Sequence, residues 1–217
     1  LFKVRQCGKT IANKTIGTKL AVDNVMGRVY EANLADLNGA TENQRDEPFR
    51  KLKFSVEDVQ GRNLITQFHG MDLTTDRTRS LLKKWCTTIE NVVHAKTADG
   101  FTLRIFVLAF TKKSQGQLSK NCYSKTRLEK WVRHRMTSMI EKRTSKQDIT
   151  EAVSDLTHDV LSEALYARCN PILPLRDVKI RKVKVVGTPK LNVADLMKHH
   201  GEVPASEEGK AREVEAA

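Results

Sequence analysis

The chain has 217 residues and a mass of 24.6 kDa, 39% hydrophobic and 29% charged, which suits one large or two small domains with a high ratio of surface to core. No apolar run reaches the roughly 18 residues of a membrane-crossing helix, no secretory leader is visible, and Cys7, Cys86, Cys122 and Cys169 lie too far apart for a zinc site or a disulfide framework. The net charge is +12, and the excess falls in two stretches. Residues 112–146 hold eleven Lys or Arg against Glu129 and Glu141, a balance of +9; residues 176–190 hold six against Asp177, a balance of +5, which leaves −2 for the rest. A near-neutral body with two basic segments points to a densely anionic partner, nucleic acid before a membrane surface or an acidic protein.

In chain order, residues 28–32 alternate behind Gly27 as a short strand, and residues 50–58 and 63–68 flank Gln60-Gly61-Arg62 as a hairpin. Thr74 or Thr75 is placed to cap a helix that Asp76 favours. Leu81, Trp85, Ile89 and Val92 come next at helical spacing, so this helix is expected to pack on the sheet. A second hairpin joins residues 91–96 and 101–110 through Thr97-Ala98-Asp99-Gly100, where Asp-Gly supplies the left-handed positions of a tight turn. Residues 111–121 lack an apolar anchor and read as a loop that is mobile on its own.

Over residues 124–143 the period becomes helical, with Leu128, Trp131, Val132, Met136, Met139 and Ile140 on one side and Arg127, Lys130, Arg133 and His134 on the other. A second helical region, residues 147–167, is expected to break near Leu156-Thr157, with Thr157 capping its second half, and Pro171 and Pro174 end it. Residues 175–186 return to strand. Val178 and Ile180 share one parity and Val183 and Val185 the other, so Arg181-Lys182 marks a bulge or a change of face. Residues 192–200 read as a short helix and residues 202–217 as an acidic flexible tail. The whole forms one domain over residues 1–201, β-rich over 1–110 and helical over 124–169.

Catalytic and metal motifs are weak. Gly8-Lys9-Thr10 ends like a phosphate loop, but Lys3 stands where the earlier glycine belongs. His69-Gly70-Met71-Asp72, at the end of a strand and with Cys86 expected on the next helix, is explained by a local turn in which Asp72 can pair with His69. His199-His200 fits a helix C-terminus. No cofactor and no metal are therefore expected. The basic segments carry the function: Lys112, Lys113, Lys120, Arg127, Lys130, Arg133, Arg135, Lys142 and Arg143 as one surface for contacting nucleic acid, and Arg181, Lys182 and Lys184 as a second. With aromatics at 6%, recognition of backbone and shape is expected rather than base reading.

The run from Val59 to Thr74, VQGRNLITQFHGMDLT, resembles the signature of the S-three-a (eS-one) family of small-subunit ribosomal proteins. Gly27-Arg28-Val29-Tyr30-Glu31, Leu34-Ala35-Asp36-Leu37, Lys83-Lys84-Trp85, Phe110-Thr111-Lys112-Lys113, Arg181-Lys182-Val183-Lys184 and His200-Gly201-Glu202 stand in family order, so the likeness spans about residues 8–202. Residues 38–47 look longer than the matching family loop, and the acidic tail does not align. The resemblance implies a strongly basic extension ahead of Leu1, which would take the charge above +12. It also implies an α+β fold: a barrel-like, largely antiparallel β core with flanking helices and a basic helical segment. The implied role is structural and non-catalytic, on the platform of the small ribosomal subunit near the mRNA exit. Implied partners are small-subunit rRNA, neighbouring platform proteins, mRNA and initiation factors, on the cytoplasmic ribosome after nucleolar passage in a eukaryote. The competing readings are a ribosome-associated translation factor and an RNA-modifying enzyme.

Overall fold

The computed structural model describes residues 17, 20–38, 47–60 and 63–190. The Gly8-Lys9-Thr10 turn, the expected helix over 192–200 with His199-His200, and the acidic tail lie outside the described residues. In chain order the elements are α1 (Ala21–Val25), β1 (Val29–Asn33), α2 (Leu34–Asn38), a single 3₁₀ turn (Glu47–Phe49), β2 (Arg50–Gln60), β3 (Asn63–Leu73), α3 (Thr75–Leu81), β4 (Thr88–Lys96) and β5 (Thr102–Thr111). Three helices come next, α4 (Thr126–Thr144), α5 (Ile149–Thr157) and α6 (Val160–Cys169), and then β6 (Leu175–Gly187). All strand pairs are antiparallel and form one six-stranded sheet in the order β1-β2-β3-β6-β5-β4. The α+β class holds, but the sheet ends at β1 and β4 and is not closed into a barrel.

The period-2 pattern of the strands decides which face is covered. Leu52, Met71, Ile89, Val93, Leu103, Ile105 and Val183 turn to the same side and join one buried cluster with Val132, Met136 and Ile140 of α4, Val153 of α5 and Leu165 of α6. Polar bonds fix α4 on edge strand β4: the Asn91 side-chain amide donates to the Arg133 carbonyl at 3.1 Å and to Thr137 Oγ1 at 3.0 Å. The hairpin turns at Asp99-Gly100 as expected, but Gly100 alone takes the left-handed conformation, at φ 90°, and Asp99 does not. This turn also does a second job, because Asp99 Oδ2 accepts the first amide of α5, Ile149 N–H, at 2.8 Å.

Four local expectations change. The third helix stops at Leu81, Trp85 takes a left-handed φ of 69°, and Ile89 and Val92 lie in β4 instead. The β-branched run Thr87-Thr88-Ile89 and Val92-Val93 fits a pleated strand, and its nine-pair ladder with β5 outweighs an incidental helical spacing. Thr74 does stand at the N-cap of α3, without a side-chain capping bond. The His69–Asp72 segment lies at the end of a strand as expected, but that strand runs on to Leu73 without a local turn, and Asp72 pairs with Lys182 at 2.9 Å rather than with His69. Cys86, expected on a helix, sits in an isolated bridge with Cys122. The helical break falls at His158-Asp159, one residue beyond Thr157, whose hydroxyl donates back to the Ser154 carbonyl at 2.9 Å instead of capping α6.

The expected bulge is present: Phe106 opposes Lys182 and Val107 opposes Ile180, so Arg181 is the extra residue. It switches β6 from one parity to the other while keeping Ile180 and Val183 both buried.

Two sets of interactions lock β6 in place. Where β3 pairs with it, a Cβ on residue 70 would lie 2.6 Å from the Val183 carbonyl oxygen, so only glycine fits. Beyond the end of β3, Arg50 of β2 reaches the Thr157 carbonyl and Asp159, and Lys179 of β6 reaches Asp159 at 2.8 Å. Asp159 has a left-handed φ of 59°, which Asp tolerates well. Burial pushes its carboxyl upward, but the Arg50 charge and the Lys179 bond outweigh this and hold it below its ordinary value.

Gly70→Ala is expected to lower stability by about 1–3 kcal/mol, because a rigid carbonyl must move; a urea midpoint unchanged from the parent would refute the packing account. Asp159→Asn keeps the left-handed backbone and removes the charge, and is expected to cost on the order of 3 kcal/mol by leaving Arg50 buried and unpaired. A carboxyl depressed in the fold contributes stability that is complete above its unfolded value and is lost as pH falls through the folded one. Melting of the parent should therefore decline below about pH 4, and Asp159→Asn should flatten that decline.

Candidate nucleic-acid interface

The first basic stretch folds as a loop and a helix joined at one corner of the sheet. Thr111, at the end of β5, is buried, and its hydroxyl donates to the Cys122 carbonyl at 2.6 Å and accepts the Thr87 amide at 2.9 Å. Thr87 Oγ1 in turn accepts the Ser124 amide at 3.1 Å. This pair of threonines closes the loop at its neck. The loop has no apolar anchor, as expected, since Leu118 is 99% exposed. It is nonetheless held, by the Gln117 side chain, which accepts from the Ser114 amide at 3.2 Å and donates to the Asn121 carbonyl at 2.5 Å.

Of the twelve residues expected to touch RNA, nine are exposed: Lys112, Lys113, Lys120, Arg127, Lys130, Arg135, Lys142, Arg181 and Lys184. Among the described residues none of these nine has an ion-pair partner. The other three have internal work. Arg133 donates to Glu129 at 3.2 Å and to the Glu90 carbonyl at 3.1 Å, which turns it onto β4 rather than outward. Arg143 bridges α4 to α5 through Asp155 at 2.7 Å. Burial raises the Asp155 carboxyl, but the Arg143 and Gln147 bonds bring it below its ordinary value. Lys182 is paired with Asp72.

The second basic stretch spreads over the face of the sheet that α4 leaves uncovered. Across that face Lys184 stands opposite Arg104 on β5 and Gly70 on β3, with His94 beyond Arg104 and Lys53 beyond Gly70. Glu31 at the far edge pairs with Lys53 at 2.8 Å. Their hydrogen bond lowers the Glu31 carboxyl and raises the Lys53 ammonium, so both remain charged. Arg104 and Lys53 do not stand in either basic stretch; only the register of the strands brings them beside Lys184. Arg176 and Lys179, which do stand in that stretch, are structural: Arg176 donates to the Leu81 carbonyl at 2.7 Å, and Lys179 belongs to the Asp159 cluster.

Aromatic side chains are the largest departure. The helical spacing places both tryptophans in apolar seams, yet Trp85 is 45% and Trp131 55% exposed. Lys120 lies 4.6 Å from the Trp85 ring centroid and Arg127 5.5 Å from that of Trp131. Trp131 leaves the seam because the buried stripe of α4 runs through Val132, Met136, Ile140 and Thr144, one position round the helix. Tyr123, between the loop and α4, is 63% exposed. Among the described residues no three His, Cys, Asp or Glu side chains converge as a metal site, and no helix is long and apolar enough to cross a membrane.

Residues 1–189 match the ribosomal S3Ae family. Small ribosomal subunit protein eS1B of Trypanosoma cruzi (strain CL Brener) is 62% identical over 216 residues, covering 100% of this chain and 82% of the relative. Small ribosomal subunit protein eS1 of Artemia franciscana is 46% identical over 202 residues, covering 93% of this chain and 75% of the relative. The protein of the same name from Drosophila virilis is 44% identical over 202 residues, with the same two coverages of 93% and 75%. The chain belongs to the ribosomal S3Ae family.

Proposed function

We propose that this chain is a structural, non-catalytic constituent of the small ribosomal subunit that binds small-subunit rRNA by its backbone through two cationic surfaces. The observation that carries the reading is the division of labour among the cations: nine of the twelve are exposed and free of carboxylates, while three are used to hold the frame. Like charges at this density repel one another, and RNA phosphates relieve that repulsion and release counterions. The names of the relatives, all small-subunit proteins, support the ribosome as the place where this happens. A position on the platform near the mRNA exit, with neighbouring ribosomal proteins, mRNA and initiation factors within reach, belongs to the same proposal, as does passage through the nucleolus during assembly. Arg133, Arg143 and Lys182 act by positioning α4 and β6 rather than by touching phosphate.

An integral constituent stays with the small subunit through a high-salt wash that strips translation factors and modifying enzymes; quantitative loss of this chain at moderate salt would defeat the reading. The residue assignment has its own check. Reversing Arg127, Lys130 and Arg135 to Glu is expected to reduce the slope of log affinity against log salt by roughly 0.7–0.9 for each phosphate no longer neutralised. Arg143→Ala is expected to lower thermal stability and leave the slope unchanged. Reversing Lys210 and Arg212 in the acidic tail should do neither, and an effect equal to that of the triple variant would undo the charge assignment.

A further inference from the structure

Between α4 and α6 lies an open hollow of about 620 Å³, within the range of roughly 300–1,000 Å³ typical of small-molecule sites. Its floor is apolar, made by the Trp131 ring, Ala167, Pro171 and Ile172. Its rim carries two guanidinium groups, Arg135 from α4 and Arg168 from α6, with the His134 imidazole beside them, and no acidic side chain lines it. Arg127, one turn before Trp131, stands by the indole. Ala167 contributes only a methyl group to this lining. The far wall is held firmly, since the Ile172 and Leu173 amides both donate to the Cys169 carbonyl, at 3.0 and 3.2 Å.

We infer that this hollow receives an unpaired base of RNA, stacked on Trp131, with the flanking phosphates on Arg127, Arg135 and Arg168. The inference rests on the RNA-binding reading of the surface and adds a base-recognising element to a surface otherwise suited to backbone. Two features favour this occupant over a docked protein helix. The apolar floor sets one flat ring, the Trp131 indole, beside Ala167, Pro171 and Ile172 rather than presenting a run of large aliphatic side chains. Arg127 also stands by that ring while Arg135 and Arg168 line the same hollow, and a nucleotide joins a flat apolar face to anionic groups. A base within a duplex has both faces covered by its neighbours, so the ligand is single-stranded RNA or a bulged nucleotide.

The test uses the full chain carrying Trp85→Phe, so that Trp131 is the only indole, and three probes: a short oligoadenylate RNA, an abasic ribose-phosphate chain of equal length, and an oligoglutamate peptide. Oligoadenylate is expected to quench Trp131 fluorescence saturably, while the abasic chain binds without quenching. In the same background Trp131→Ala should weaken oligoadenylate roughly 5- to 150-fold and leave the abasic chain unaffected. Trp131→Phe should recover most of the affinity, and unchanged thermal melting would show that the exposed side chain is not needed for folding. Equal affinity of the parent and Trp131→Ala for oligoadenylate overturns the stacking site while leaving backbone binding intact. Quenching by oligoglutamate but not by oligoadenylate overturns it in favour of a protein partner. If the parent binds neither RNA probe at low salt, the stacking site and the RNA-binding reading fall together.

Discussion

The structure depends on β6 pairing with two strands at once. Before it arrives, the chain holds two separate antiparallel units, β1-β2-β3 and β4-β5, and each presents an open edge. The β6 ladder with β5 is long, from Thr111↔Leu175 to Thr102↔Gly187, but that with β3 covers only Gly70↔Lys184, Met71↔Val183 and Asp72↔Lys182. So short a seam needs reinforcement, and it comes from three sources. Gly70 allows the backbones to approach, the Lys182–Asp72 pair crosses the seam, and the Arg50–Asp159–Lys179 cluster ties β2 to β6 where β3 has ended. The α5–α6 corner is thereby part of the sheet's fastening, and its break falls at Asp159 because the carboxylate must reach both cations.

That arrangement separates two uses of the same residue types. A Lys or Arg beside a partly buried carboxylate is already neutralised and oriented, and moving it to a phosphate would leave its partner uncompensated. Asp72, Asp155 and Asp159 therefore draw Lys182, Arg143, Arg50 and Lys179 inward, and Glu129 does the same to Arg133. Cations without such an acid are the ones whose solvation shell is available for exchange with phosphate.

Much of this was legible in the sequence. Alternation and Asp-Gly chemistry located the hairpins, a 3.6-residue period located α4, and the parity change at Arg181 located the bulge. What failed has physical causes. Leu81, Trp85, Ile89 and Val92 fit a helix only because 3.6-residue spacing and strand alternation overlap over short windows; the ladder with β5 decides for strand, and no local signal announces it. Asp159 could not be recognised as a clasp, since its partners Arg50 and Lys179 are distant in sequence. The same holds for Arg104 and Lys53, which join Lys184 through register alone. The central place of β6 is a tertiary fact, for strand order is not written in the pattern of any one strand.

The tryptophans carry recognition further than composition could. At 6% aromatic, a chain of this size offers too few rings for a sheet tiled with stacking platforms, which favours recognition of backbone alone. Abundance is the wrong measure, though, when both tryptophans stand exposed beside cations on one basic segment and its border. An exposed indole forgoes the burial that normally stabilises so large a ring. Here the apolar stripe of α4 is complete without Trp131, and the turn at Trp85 adopts a left-handed backbone that a β-branched or bulky residue seldom occupies. The apolar core accounts for neither position, and each ring meets a cation of its own chain instead. An exposed flat ring beside a cation on a basic surface is the geometry from which the stacking of an unpaired base is inferred.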